Sequence, residues 1–410
     1  MTEPQAQGLQ AMRVPEPGRG PARPDVLQGR AWEAFTGSLV WPGLLRAAGL
    51  ALRPARLGMA FVLVMTLAIL VVLGDAWVLR GHPEGVRGLG EIIKDQLSVA
   101  AGRLGTHQVG PGMAAILMLP ARLFREHPAI TMVLTLPVAA VSAVLGGAIG
   151  RSAACEFGRS ERAAWLDVLS LSLRRWWTQA AAVLLPMVLM GAVSALLAVV
   201  GKVLLGYGAT SWLGGLLFGA GVLVALVLVL CLLVFVLALP MLVPAVLVEG
   251  TDSIDSIQRC AAYVVGQPLR LIGYSLLLLF QALIVAALLG AAVKAAFVLA
   301  GTLGAMFLPD PYDAMVRQAA IFGTLPTLGL DAGEYPAWQS RVATMIVFWR
   351  GVFTLLPAVY AASYFYTAGS VLYLSMRRVC DGQDAGELWD PMTDESSTPR
   401  ATAGTAEEEL

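Results

Sequence analysis

Long apolar runs separated by short polar or basic connections set the pattern of this chain. Spanning a bilayer as a helix takes roughly 20 apolar residues. Runs of that kind lie near 57–79, 129–150, 179–201, 213–239, 271–296 and 351–376. The fourth, LGGLLFGAGVLVALVLVLCLLVFVLAL, carries no charge at all. Pro137 falls in the second and Pro186 in the third, where kinks are tolerated if neighbouring helices shelter the freed backbone. The pattern predicts an all-α integral membrane protein of about six transmembrane helices plus interfacial amphipathic helices.

One stretch, Leu237 to Tyr274, shows how the spans are joined: LALPMLVPAVLVEGTDSIDSIQRCAAYVVGQPLRLIGY. Pro240 and Pro244 cannot continue a helix cleanly, so the fourth span is expected to end there. Thr251 and Asp252 can cap a new, short helix. Ile254, Ile257, Ala261 and Val264 form its apolar face, with Asp255, Ser256 and Arg259 opposite. Gly266 and Pro268 stop it, and the next span leaves from Leu271. A short amphipathic helix tied between two spans belongs at a membrane surface. Ser160 to Trp177 repeats the design, with Trp165, Val168, Leu169, Leu173 and Trp176 on the apolar face and Glu161, Arg162, Asp167 and Arg174 opposite. LTLP at 134–137 and LALP at 237–240 open the two units, which leaves an internal repeat open. Ser38 to Arg56, with Trp41, Leu44, Leu45, Leu50 and Leu52 among its arginines, reads as a third interfacial helix.

Composition agrees. The chain is 57% hydrophobic and 14% charged, against about 25% charged in soluble domains. Its formal net charge is zero, so nothing draws it to nucleic acid. Residues 1–37 are polar and rich in Pro and Gly and read as a disordered tail. No apolar core of a signal peptide lies near the start, and no cleavage is expected. Residues 38–380 form the six-helix membrane domain. Residues 381–410 hold nine acids against Arg400 alone and read as a disordered acidic tail. Within it Leu388-Trp389 is either a docking point or a stray aromatic.

Counting Lys and Arg in the connections gives seventeen on the side of both termini and nine on the other, so both termini are expected in the cytoplasm. Cys155, Cys260 and Cys380 then face the reducing side and Cys231 lies in a span, which needs no oxidising compartment.

LALPMLVPAVLVEGTDSIDSIQRCAAYVVGQ resembles a pattern in bacterial multipass proteins that include the membrane domain of some glycerophosphodiester phosphodiesterases. Val248-Glu249-Gly250, Arg259-Cys260 and Gly266 match it, with Cys260 in place of the usual Ser. VLYLSMRRVCDGQDAGELWDP resembles the closing helix and Arg-Arg…Asp-Gly turn of stand-alone members. The resemblance spans residues 130–380. It implies a six-helix membrane domain of the bacterial inner membrane and no activity, because that family's phosphodiesterase chemistry lies in a separate barrel domain.

Candidate chemistry is sparse. His82, His107 and His127 share the 80–128 loop with Glu84, Glu91, Asp95 and Glu126, without HExxH or any comparable spacing. The better reading is solvated loop residues, with neither metal nor cofactor. Within that loop Leu89, Ile92, Ile93, Leu97 and Ala100 form an amphipathic face that caps the bundle or lies on the outer leaflet. Asp75, Lys294 and Arg350 sit at span ends, where Lys294 can snorkel. Tyr360, Tyr364, Tyr366 and Ser370 in the last span either line a polar cavity or bond between helices, the second being favoured. Gly146-xxx-Gly150 and Gly215-xxx-Gly219 allow close helix contact. Trp165, Trp176, Ile254, Ile257 and Arg259 form the candidate face for lipid or a partner protein. These readings point to a non-enzymatic protein that organises the membrane or binds a partner. A small-solute transporter or permease subunit is the alternative, disfavoured by the lack of charge within the spans.

Overall fold

A computed structural model describes residues 41–81, 87–106, 108–208, 210–308, 312–323 and 337–390. The tails 1–37 and 391–410, and His82 and His107, lie outside these residues. The helices are α1 (Trp41–Leu44), α2 (Arg46–Ala51), α3 (Pro54–Gly81), α4 (Leu89–Gly105), α5 (Val109–Leu117), α6 (Leu119–Glu126), α7 (Pro128–Gly158), α8 (Trp165–Arg174) and α9 (Trp176–Leu205). They continue with α10 (Ser211–Glu249), α11 (Ser253–Gly266), α12 (Pro268–Ala305), α13 (Tyr312–Arg317), a π-turn (Gln318–Phe322), α14 (Ala337–Thr354) and α15 (Leu356–Cys380). α3, α7, α9, α10, α12 and the run α14–α15 are each long and apolar enough to cross a bilayer. The chain is an all-α multipass membrane protein. Its six spans are those read from the sequence, extended at their ends, and the last is interrupted at Leu355.

The described residues from Gly43 onward form one compact unit. Its two ends differ. At the proximal end, where α3 begins and α15 finishes, the short helices α2, α8 and α11 pack among the spans. At the distal end lie α4 to α6, α13 and the π-turn. α15 is the axis of the proximal half: every residue from Thr367 to Arg377 is buried. α2, α3, α7, α10 and α12 surround it.

The prolines of LALPMLVP do not end the fourth span. α10 runs unbroken through Pro240 and Pro244 to Glu249, about 58 Å at 1.5 Å per residue. The cause lies in packing. Pro244 has no N–H, so the Pro240 carbonyl loses its helical donor. A Cβ on Gly369 of α15 would sit 1.9 Å from that oxygen. Glycine therefore brings the α15 backbone against the freed carbonyl, in the manner of a Cα–H···O contact. The apolar run Met241–Val248, beyond where the span was expected to end, is wholly buried. The outer half of α10, from Trp212 to Leu233, faces lipid instead.

Small residues set the other approaches, because apolar burial does not drive helices together within lipid. A Cβ on Gly146 would strike the Tyr366 ring at 2.2 Å, and one on Gly150 would lie 2.9 Å from Ser370 Oγ. Gly146-xxx-Gly150 is thus the α7–α15 contact, whereas Gly215 and Gly219 meet nothing. The stretch before α3 is more deeply set than an interfacial helix: Leu44, Ala47, Leu50 and Ala51 are buried in the core. At the distal end Asp75 accepts from the Gly90 amide at 3.0 Å and so anchors the start of α4. On α4 the buried positions are Leu89, Ile92, Gln96 and Ala100, while Leu97 is exposed.

Gly369→Ala should lower the stability of the detergent-solubilised protein by about 1–3 kcal/mol, the usual cost of overpacking. Gly273→Ala, which meets no atom within 4 Å, should leave it unchanged or slightly raised. Thermal unfolding followed by tryptophan fluorescence compares the two.

Candidate functional site at the proximal end

The last turn of a helix leaves carbonyls without partners and a partial negative charge. Several spans end together at the proximal end, and arginines meet their carbonyls. Arg56 donates to Leu50 O at 2.6 Å, to Ser152 O at 2.9 Å and to Glu156 Oε2 at 2.7 Å. Arg53 holds the other Glu156 oxygen at 2.6 Å. Arg151 donates to Leu247 O at 3.0 Å and to Trp389 O. Arg175 donates to Gly250 O at 2.6 Å.

Glu249, the last residue of α10, is the hub. Its Oε1 accepts from Arg377 Nη1 at 2.8 Å and from the Tyr373 hydroxyl at 2.9 Å. Its Oε2 lies 3.1 Å from Arg259 Nη1. Arg377 is 2% exposed and also donates to Asp384 O and Glu387 O, each at 2.6 Å. The Tyr263 hydroxyl donates to Asp381, and its ring lies 5.9 Å from that of Tyr373. One carboxylate thus joins α10, α11, α15 and the segment after α15.

That segment, 381–390, is a folded strap rather than part of a loose tail. The Trp389 amide donates to Val248 O at 2.9 Å. Its ring lies under Arg175, 4.4 Å from centroid to Cζ. The same ring fills the space beside Gly250, which has φ +69° and where a Cβ would fall 2.3 Å from Trp389. Only glycine meets both demands, the left-handed cap and the close ring. Arg159 donates to Gly386 O and Leu388 O at 3.0 and 2.7 Å. Leu388 is buried. Leu388-Trp389 docks, and it docks onto its own chain.

The short helices sit differently from their sequence reading. On α11 the buried positions are Ser256, Cys260, Tyr263 and Val264. Ile254 is 59% exposed and Ile257 half-buried. Arg259 is not on a solvated polar face: it turns toward Glu249 and Asp255. The cause is Glu249, a partner outside the helix that periodicity cannot register. On α8 Val168 and Ser172 are buried, and Trp165, Leu166 and Leu173 are exposed. Trp176 begins α9, half-buried, with its ring edge-on to Trp177 at 5.4 Å.

In the last span Tyr364 lies 2.8 Å from Leu278 O and 2.9 Å from Gln281 Oε1. Ser370 donates to Gly150 O at 2.8 Å, and Ser363 to Ala51 O at 2.8 Å. Tyr366 packs on Gly146. Tyr360 Oη and Thr367 Oγ1 are buried without a hydrogen-bond partner among the described residues. Tyr364 and Ser370 therefore join helices rather than line an open cavity.

Burial pushes the Cys260 thiol above its ordinary range, so it is no thiolate nucleophile near neutral pH. Burial, then the bond to Asp381, pushes Tyr263 upward likewise. His127 donates to Arg87 O at 2.8 Å. Among the described residues no three or more His, Cys, Asp or Glu side chains are grouped to hold a metal. Sequence reasoning missed the Glu249–Arg377 brace. Its signals were an acid at the Val-Glu-Gly turn and an arginine pair closing an apolar helix. Comparison of the chain with family models, curated proteins and solved structures returns no match.

Arg377→Met should cost about 3–5 kcal/mol, because it leaves a buried carboxylate short of its cation. Arg259→Met, at a partly exposed pair, should cost under about 1 kcal/mol. Combining Glu249→Gln with Arg377→Met should cost less than the two single changes added. Unfolding titrations in mixed micelles measure all four chains. A water-soluble maleimide should label Cys380 in the folded protein and spare buried Cys155 and Cys260. Lipid-facing Cys231 should be shielded by the micelle, and all four thiols should react in SDS.

Proposed function

We propose that this is a non-enzymatic protein of the bacterial inner membrane that organises the bilayer from its cytoplasmic side. The observation that carries this reading is the contrast at the proximal end. The buried and half-buried arginines there, with Glu156 and Glu249, brace helix ends, while Trp165, Leu166, Leu173, Trp177, Ile254 and Val265 of the short helices and their flanks stand exposed. Rigid, apolar and aromatic side chains on surface helices suit the boundary between headgroups and acyl chains. Clefts of about 440 and 560 Å³ along α9 and α10 are lined almost wholly by apolar groups and suit acyl chains.

The seventeen-to-nine Lys/Arg asymmetry supports cytoplasmic termini. The two stretches that carry the resemblance to bacterial multipass membrane domains meet in the fold, Glu249 with Arg259 and Arg377. A small-solute transporter is the second reading. Its support is Tyr360 Oη and Thr367 Oγ1, buried hydroxyls without a partner among the described residues that a polar occupant would satisfy.

Proteoliposomes of the full chain test the choice. Acyl-chain order, measured by deuterium NMR, should change with protein content, and Ile254→Asp with Trp165→Ser should weaken the change without lowering thermal stability. Ile257→Asp, at a half-buried site, should lower stability instead. Saturable solute flux that Tyr360→Phe abolishes would replace this reading with transport. Unaltered lipid order, together with a soluble protein that co-purifies only when Ile254 is intact, would replace it with partner binding.

A further inference from the structure

At the distal end α12 presents Gly290, Val293, Lys294, Phe297 and Val298 on one face, by helical spacing. The same face continues to Gly301, where a Cβ would lie 2.9 Å from Ala320 of the π-turn. Between α12, the π-turn and α14 is a cavity of about 370 Å³ that Lys294 and Arg350 both line. No carboxylate is among its described lining residues. Arg350 Nη1 is buried and has no hydrogen-bond partner among the described residues. Its guanidinium lies 6.0 Å from the Phe297 ring, and Gly323, at φ +68°, takes the backbone close against it. The Thr354 hydroxyl is held by Arg350 O at 2.7 Å.

Lys294 is exposed and can snorkel, but the half-buried Arg350, with one nitrogen buried and unmatched, is costly to leave without an anion. Depth says which anion. Lys294 is about 36 Å along α12 from Arg270 at 1.5 Å per residue, just beyond a hydrocarbon core of about 30 Å. Trp349 and Phe353, rings 6.2 Å apart, lie beside Arg350 as an interfacial aromatic pair. That level is where lipid phosphates lie.

We infer that the cavity between α12 and α14 binds a phosphate group, with Lys294 and Arg350 as its cationic ligands and the apolar walls taking what the phosphate carries. Guanidinium supplies a planar donor fork and ammonium a point charge, a pair suited to phosphate oxygens. The site lies at the opposite end of the bundle from the brace and stands whether or not the brace end organises lipid.

Native mass spectrometry of the full-length protein in mild detergent tests it, with phosphatidylglycerol against diacylglycerol of the same chains, and with inorganic phosphate alone. Phosphatidylglycerol should be retained over diacylglycerol, and Lys294→Gln or Arg350→Gln should each weaken retention about tenfold, the loss of one charge-assisted bond. Arg350→Lys should keep part of it, and Lys202→Gln, an exposed cation of the same end, none of the loss. Inorganic phosphate bound without lipid, and lost in the double Gln variant, supports the same phosphate chemistry from a free source. Equal retention of both lipids, or retention unmoved in a double variant of unchanged melting temperature, with no phosphate bound, overturns the site.

Discussion

The Glu249 carboxylate is largely withdrawn from water, and the fold's proximal half depends on how it is matched. Taking a carboxylate and a guanidinium out of water costs several kcal/mol each, and attraction offsets this only when the remaining donors and acceptors are also met. Here they largely are. Arg377 gives one nitrogen to Glu249 and another to two strap carbonyls, and Tyr373 completes the carboxylate oxygen. The strap is therefore no appendage. Without Asp384 and Glu387 carbonyls, Arg377 would be buried with donors unmet, and the pair would lose the geometry that makes it tolerable.

The same accounting explains the prolines and glycines. Within lipid a carbonyl freed by proline cannot turn to water. α10 tolerates Pro240 and Pro244 because α15 comes against it at Gly369, and Gly150 and Ser370 make the matching approach from α7. Backbone and hydroxyl contacts do the work that apolar burial does in water. It follows that the helices fit closely where residues are small or polar, between α7, α10 and α15. Elsewhere bulky aliphatic side chains splay outward.

How much of this could be read from the chain depends on range. Hydropathy is a local property, so all six spans, the pairing of loops by side and the short helices α8 and α11 were legible. Proline rules are local as well, and they misplaced the end of α10 because Gly369 lies more than a hundred residues away in sequence. Helical periodicity put Ser256 and Arg259 outward, whereas Ser256 is buried and Arg259 follows Glu249. Acid content marked 381–390 as loose, but its backbone carbonyls, which composition does not register, are what the arginines use. Tyr364 and Ser370 were legible as interhelical bonding groups, though their partners Leu278 O and Gly150 O were not.

The two ends of the molecule handle charge in opposite ways. Proximally, Arg56, Arg151, Arg159, Arg175 and Arg377 each donate to backbone carbonyls, and Glu156 and Glu249 supply counter-charge. Among the described residues that end matches most of its buried charge internally, with Arg377 Nε left over. Distally, Lys294 and Arg350 face one cavity with no described acid in its wall. A folded end that matches most of its own charge resists rearrangement and holds exposed Trp165 and Ile254 on a fixed surface. An end that leaves cations unmatched is instead stabilised by whatever anion binds there, by an amount that grows with that anion's concentration. On the two proposals made above, the bilayer completes this protein at one end and is shaped by it at the other.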